Sequence, residues 1–533
     1  MFSSLEVRAP GVALSVFVAL VMLSTAPVSL TRAAGQTDAP RRIKTASTAL
    51  PPIDRGTRQL SADLHARRGH DRSDNRSHPE PEGSPAVPGR VIVKFRSDAS
   101  SASRATAVQA VGGRVASRPA HARFDVLDVD ANTTAAAEAI ARELAARADV
   151  EFAQADYRMY PRLRPNDPLY AYQWNYPLIN MEGAWDRSAG ADPSIVIAVL
   201  DTGIAFTSAT FELQAPAFRV GNVRYPALGR VTVPFAPAPD LASDQRFVAP
   251  KDLIWGDDDP VDLDGHGTHV AGTIGQLTNN GSGGAGVAFN ARLMPVKVLA
   301  GDWDLIFGAP NSGTDSTVAQ GIAYAADNGA RVINMSLGRD GPPSPVLEEA
   351  LRYAVSRGAV VTIAAGNGYE EGNPDETPAR YGPSIAGVIT VGAVGRDGNR
   401  ASYSAVKSYV EVSAPGGDYR THGNEGLIYQ QTFDPDAAVL WPITTNLPPA
   451  QLRAPRYDVF AFLGIQGTSM AAPHVAGLAA LIMHYGVTEP AAVEEAITRF
   501  ALDRGATGLD AEYGSGVINS VATLRGRGLG LTR

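Results

Sequence analysis

The sequence has no cysteine, which excludes disulfides, thiolate metal centres and cysteine nucleophiles together. Aromatic residues are sparse, at 7%. Beyond the N-terminus no apolar run reaches the ~18 residues that a membrane-spanning helix needs, so the body of the chain is expected to be soluble. There is no internal repeat. The G-x-S-x-G elbow of α/β-hydrolases is missing, which disfavours an esterase of that type. Excess positive charge is missing as well, since the net charge is −8. The imbalance is uneven: residues 1–160 carry 21 Lys+Arg against 17 Asp+Glu, and the remainder 26 against 38. A large acidic body argues against nucleic acid as a partner.

What is present suffices for two or three domains: 533 residues, 44% of them hydrophobic. Arg8 precedes the apolar run GVALSVFVALVMLS (11–24), and small residues follow at Ala26, Ala33 and Ala34. This pattern is expected of a signal peptide over residues 1–34 and hence of a secreted product; an uncleaved anchor is the alternative. Residues 35–87 are rich in Arg, Asp, Ser and Pro, without aliphatic periodicity, and are expected to form a disordered linker. Its His65, His70 and His78 read as solvated side chains.

Residues 88–160 form a separate small module. VIVKF (91–95), FDVLDVD (124–130) and VEFAQADY (150–157) read as strands. SASRATAVQAVGG (101–113) and TTAAAEAIARELAARAD (133–149) read as helices. The β–α–β–α–β order predicts a small α+β, ferredoxin-like sandwich. The segment resembles the inhibitor-type propeptide of subtilisin-like proteases.

Residues 161–533 alternate buried strands and helices. SIVIAVLDTGI (194–204), LMPVKVLA (293–300), ARVINMSLG (330–338), AVVTIAAGN (359–367) and GVITVGAV (387–394) are β-rich. STVAQGIAYAADNG (316–329) and SPVLEEALRYAVSRG (344–358) are helical in period. The pattern predicts an α/β domain with a mostly parallel sheet, whose sites gather at strand C-termini.

Three segments set a reactive residue beside glycine. Asp201 ends a buried strand in VLDTGI, where a carboxylate is costly unless used; a turn cap is the plainer reading. His266 lies between glycines in DLDGHGTHVAGTIG (262–275), with His269 as a competitor for its role. The spacing of a helical zinc site is absent. Ser469, in GIQGTSMAAPHVAG (464–477), stands at the N-terminus of a long apolar helix, where negative charge is favoured and where a serine also serves as an N-cap. His474 and His484 on that helix read as structural.

The segments VLDTGI, DGHGTHVAGT and GTSMAAPHVAG resemble, in order, the three catalytic blocks of subtilisin-like serine proteases. The resemblance spans residues 166–524 and implies a three-layer subtilisin-like domain hydrolysing peptide bonds. It makes Ser469 the nucleophile, His266 the general base and acid, and Asp201 the group orienting the imidazole. AAGN (364–367) resembles the oxyanion-hole segment, so the Asn367 amide and the Ser469 N–H are expected to bind the oxyanion; a turn residue is the other reading of Asn367. Ser336, Leu337 and Gly338 resemble one substrate-pairing strand and Ser312 and Gly313 the opposite edge. Ala364, Ala365 and Gly366 are expected to wall a roomy, apolar-tolerant pocket.

The resemblance further implies a zymogen whose propeptide is cut by the enzyme itself between about Ala155 and Pro168 and then acts as its own inhibitor. Substrates are expected to be proteins or peptides, with no membrane partner after signal removal, and the enzyme is expected to be a monomer. No cofactor is required for the chemistry. Structural Ca²⁺ is one expectation, at Asp257–Asp259, at Asp262 and Asp264, or at Asp167 with the loop 278–284; a solvated acidic turn is the alternative. Two stretches, 205–255 and 417–460, exceed a minimal domain of this kind and are expected to shape the cleft rim. A catalytically silent peptide-binding scaffold is the alternative from another class.

Overall fold

The structure is a computed structural model that describes residues 86–157, 163–188, 190–241 and 246–526, with short stretches of backbone at 5–9, 12–16 and 43–46. Most of the expected signal peptide (1–34) and of the expected linker (35–87) lies outside these residues. Residues 53–161 and 162–524 belong to separate compact units.

The smaller unit is a four-stranded antiparallel sheet with two helices. Its elements are β1 (Ala86–Phe95), α1 (Ser101–Ala110), β2 (Arg114–Ser117), β3 (Asp125–Asp128), α2 (Thr134–Ala145) and β4 (Val150–Tyr157). The strand order is β2-β3-β1-β4, which is the ferredoxin-like β-α-β-β-α-β arrangement. The sequence reading lacked β2. All four residues of that strand are exposed, so no apolar alternation marks it. Ser100 and Thr133 cap α1 and α2 by accepting the N–H groups of Ser103 and Ala136, each satisfying an otherwise orphaned donor. Val91, Val93, Leu127, Ala137 and Leu144 form the fully buried centre.

The larger unit is built on a seven-stranded, wholly parallel sheet. Its strands are β5 (Val196–Asp201), β8 (Lys251–Asp252), β9 (Arg292–Lys297), β10 (Val332–Met335), β12 (Val360–Ala364), β14 (Val388–Val394) and β15 (Val412–Pro415), in the order β8-β9-β5-β10-β12-β14-β15. Side chains alternate between two cores: Ile197 and Val199 face one, Val196, Ala198 and Leu200 the other. A strand covered on both faces must be apolar at every position, which is why these runs are legible in sequence. Each such valine, leucine or isoleucine contributes about 1.5–3 kcal/mol on burial.

Helices α3 (His266–Gly275) and α6 (Thr468–His484) lie in the first core, and α4 (Asp315–Asp327) and α5 (Pro345–Ser356) in the second. Helix α6 is buried from Thr468 to Met483 and packs on α3, β10, β12, β14 and β15. The long stretches form antiparallel pairs: β6 (Ala209–Ala215) with β7 (Gly229–Phe235), and β16 (Ile428–Phe433) with β17 (Phe460–Ile465). A further two-residue ladder joins β11 (Arg339–Asp340) to β13 (Glu376–Thr377).

Candidate active site

Asp201 is the last residue of β5 and His266 the first of α3. The helix reaches the strand end because residue 267 is glycine. A Cβ there would lie 2.1 Å from the Gly203 carbonyl oxygen and 3.1 Å from the Asp201 Cβ. The His266 Nδ1 donates to Asp201 Oδ1 at 2.7 Å, and the Thr202 N–H donates to the same oxygen at 2.7 Å. Both side chains are buried. This leaves Nε2 as the imidazole nitrogen free to take a proton.

The start of α3 is fixed by Asp262. Its Oδ1 accepts the Thr202 hydroxyl and the Asp264 and Gly265 N–H groups. Its Oδ2 accepts the N–H and hydroxyl of Thr268. Five donors on one buried carboxylate offset its desolvation. Thr202 relays this to the helix, since its hydroxyl also accepts the Gly267 N–H at 2.9 Å.

The long stretches brace the same helix. Thr432 of β16 donates to the Gly265 carbonyl at 2.7 Å, and Tyr457 donates to the Leu263 carbonyl at 2.8 Å. Tyr457 stacks on Phe235 of β7, joining the two stretches. His269 faces away from the site: its Nε2 lies 3.1 Å from the carbonyls of both Ile428 and Leu463, and burial pushes its pKa down to about 3. It is a neutral tie between β16 and β17 and does not compete with His266. His474 is also buried and depressed, bonded to Asn175 and to the Met470 carbonyl, as expected of a structural histidine. His484 is exposed at the end of α6.

Around His266, burial opposes the charged imidazole, but the Asp201 carboxylate, its hydrogen bond, and Asp264 and Asp262 outweigh it. The pKa is pushed up to about 9. Asp264 moves the same way for another reason, since burial and the neighbouring Asp262 lift it to about 7.

Ser469 occupies the first turn of α6, where N–H groups lack intrahelical acceptors. Its hydroxyl donates to the Ser336 carbonyl at 3.3 Å, and the Ser336 hydroxyl donates back to the Ser469 carbonyl at 2.7 Å. The hydroxyl is therefore parked against the wall strand rather than bonded to His266. Asn367 is half-buried. Its Oδ1 accepts the N–H and the hydroxyl of Thr468, both at 2.9 Å. That pair of bonds fixes the amide so that Nδ2 is the outward donor.

Leu337, Gly338, Ala364, Gly366, Asn367 and Ser469 line one pocket. Ala365 is buried behind this wall. Ser312 and Gly313 sit in the loop before α4 and do not line it. Asp340, Glu371 and Glu376 also line it, so its lining is not apolar throughout. Glu376 was missed because it lies ten residues beyond the wall segment, in a two-residue strand that carries no period.

The acidic turns are closed by internal donors. Asp258 pairs with Lys251 at 2.7 Å. Asp167 accepts the N–H groups of Asn279 and Asn280. Asp240, which sequence reading did not single out, accepts the Asn280 and Gln276 amides and the Gly284 N–H. A calcium loop turns oxygens inward, whereas this one aims N–H groups at its carboxylates, so the donor set does not fit the ion. Among the described residues no three His, Asp or Glu converge on a metal position.

Residues 192–516 match the subtilase family, and residues 73–156 match the fervidolysin N-terminal prodomain. The chain is 33% identical over 434 residues to a thermophilic serine proteinase of Bacillus sp. (strain AK1), covering 80% of this chain and 86% of that one. It is 31% identical over 417 residues to an extracellular protease of Xanthomonas campestris, covering 73% of this chain and 62% of the relative. A solved protease from Pseudoalteromonas arctica superposes with a TM-score of 0.50 at 29% identity, over 68% of this chain and 99% of the other. No helix among the described residues is long and apolar enough to cross a membrane. The chain belongs to the subtilase family of serine endopeptidases and carries an N-terminal prodomain.

Proposed function

We propose that the protein is a secreted endopeptidase acting through Asp201, His266 and Ser469, and made as a zymogen that processes itself. The observation that carries this reading is the buried 2.7 Å bond from His266 Nδ1 to Asp201. It selects the tautomer in which Nε2 can accept a proton.

In the reaction, the Ser469 hydroxyl leaves the Ser336 carbonyl by rotation about its χ1 bond, and His266 Nε2 takes its proton. The freed oxygen attacks the scissile carbonyl to give a tetrahedral oxyanion. The Ser469 N–H and Asn367 Nδ2 donate to that oxyanion, and their bonds strengthen as charge develops. His266 then returns the proton to the leaving amine, and water repeats the sequence on the acyl-enzyme. Asp201 stabilises the imidazolium throughout. No step requires a cofactor. Ser336–Gly338 and Ser312–Gly313 are assigned to pair with an extended substrate.

Residues 1–34 are assigned as the export signal and 88–160 as the inhibitory propeptide, with cleavage between about Ala155 and Pro168. The supporting observations are the prodomain match and the ferredoxin-like fold of 86–157. Expression of residues 35–533 tests this. The wild type should yield a mature fragment of roughly 370 residues, as that boundary requires, and Ser469→Ala should stay full length. Identical processing of the purified variant would rule out self-cleavage.

A further inference from the structure

Strand β9 ends in a charge that the reaction does not use. Lys297 follows the apolar run Leu293–Val296 and is fully buried, as is Asp304. β9 runs parallel to β5 with Lys297 in register with Asp201. Residues two apart on a strand share a face, and Ile197, Val199 and Leu293 all face the first core. Lys297 and Asp201 therefore stand side by side on that face. The Lys297 ammonium donates to Asp304 Oδ2 at 2.8 Å and to the Thr202 carbonyl. Burial opposes its charge, but Asp304, Asp252 and Asp262 outweigh this, so its pKa is raised and it stays protonated.

Three successive residues at this strand end grip the turn that carries Asp201. The Val298 and Leu299 N–H groups donate to the Asp201 carbonyl at 2.9 and 3.2 Å, and Lys297 holds the next carbonyl, that of Thr202. Thr202 ties Asp201 to α3. Its N–H donates to Asp201 Oδ1 at 2.7 Å, and its hydroxyl donates to Asp262 Oδ1 at 3.0 Å and accepts the Gly267 N–H at 2.9 Å. The chain then turns at Gly203, whose φ is +115° and where a Cβ would lie 2.7 Å from the Pro260 carbonyl oxygen. Removing Lys297 leaves the buried Thr202 carbonyl without this donor. Rotating Thr202 to relieve it would also move the N–H that is bonded to Asp201.

Asp304 is fixed in turn by both long stretches. Its Oδ1 accepts Trp255 Nε1 at 2.7 Å, and its Oδ2 accepts the Gly301 N–H at 3.0 Å. It lies in the short helix Asp302–Phe307, whose other residues bind the second stretch. Asp302 accepts the Ile443 and Thr444 N–H groups at 2.8 and 2.9 Å, and Trp303 donates to the Val439 carbonyl at 2.9 Å. A buried ion pair adds little net stability over well-packed apolar residues, so stability alone is a weak reason for placing one beside Asp201.

We infer that Lys297, held by Asp304, is a positioning residue for the triad: it locks the Thr202 turn, and through it the Asp201 carboxylate, in the orientation that bonds His266. The inference rests on the proposed peptidase function. Its effect falls on the chemical step, since neither member of the pair lines the pocket beside Ser469.

The test compares wild type with Lys297→Met and with the double variant Lys297→Met, Asp304→Asn. A variant that stays full length is matured by tagged wild-type enzyme, which is then removed. The double variant keeps an acceptor for Trp255 and Gly301 and leaves neither charge unpaired, so its melting temperature should stay within about 3 °C of wild type. Fluorophosphonate labelling taken to completion counts active sites. In both variants kcat per site should fall at least about tenfold, the scale of a misplaced reacting group, with KM within about twofold. The low-field proton resonance of His266 Nδ1–H, which reports its bond to Asp201, should shift or broaden. A folded variant that keeps kcat per site within about twofold of wild type, or changes KM alone, overturns the inference and leaves the peptidase function standing. Failure of both variants to fold assigns the pair to the fold and overturns it too. A wild type that neither titrates nor hydrolyses overturns the peptidase function and the inference together.

Discussion

Asp201 and Asp262 beside His266 are fully buried, whereas Asp340 and Glu376 in the pocket beside Ser469 are half-buried and Glu371 is exposed. Asp262 is fully buried and receives five hydrogen bonds, and Asp201 is closed by an imidazole and an N–H. Glu376 stands opposite Asp340 on a two-residue ladder, and burial, then Asp340, push its pKa up to about 7. Beside His266 these hydrogen bonds hold the geometry the chemistry needs, although Asp201 Oδ2 has no hydrogen-bond partner among the described residues. The difference separates carboxylates that position the imidazole from carboxylates that border the pocket.

The comparison can be broken first at the oxyanion donor. Asn367→Ala should lower kcat by about 10²–10³, a magnitude known from the corresponding donor in subtilisin, with KM little changed. Steady-state kinetics on one peptide decide it, and an effect confined to KM would assign Asn367 another role.

Removing the compensated carboxylate comes next. Asp262→Ala strips buried N–H and hydroxyl donors of their acceptor, at about 1–3 kcal/mol for each group left unsatisfied. With some relaxation the melting temperature should fall by roughly 5–10 °C. A loss below about 1 °C would mean that water replaces the carboxylate easily.

The pH profile sharpens the contrast. The base must be neutral, and the His266 pKa lies near 9. With an apolar-position substrate, kcat/KM should therefore climb from pH 7 toward pH 9. Stability runs the other way. A histidine whose pKa is raised on folding contributes most below its unfolded value of about 6.5, and that contribution is lost as pH passes the folded value. An activity limb centred at or below 6.5 would contradict the role of the carboxylates around it.

The smallest effect concerns metal. Asp167 and Asp240 are already bonded to N–H donors, so EDTA should move the melting temperature of the mature enzyme by less than about 2 °C. A larger fall would show a bound cation stabilising the folded state by mass action.

The sheet and α6 were legible because strands covered on both faces, such as Val196–Asp201, must be apolar throughout, and because Thr468–Met483 is buried all round. The pairing of Asp201 with His266 was legible only through the resemblance of their segments to the family's catalytic blocks; Gly267 by itself marked a close approach without naming the partner. The exposed strand Arg114–Ser117 left no such trace. Nor did Glu376, whose partner Asp340 is brought opposite by a ladder of two residues. The long stretches 205–255 and 417–460 were visible only as excess length. Their contribution to the site, through Thr432 and Tyr457, depends on hydrogen bonds to backbone carbonyls near His266, which sequence does not display.

The most direct measurement is active-site labelling of the mature enzyme with a fluorophosphonate, followed by peptide mapping. One adduct per chain, located at Ser469 and absent from Ser469→Ala, is the result this account predicts. Labelling at another residue, or labelling undiminished in Ser469→Ala, would contradict it.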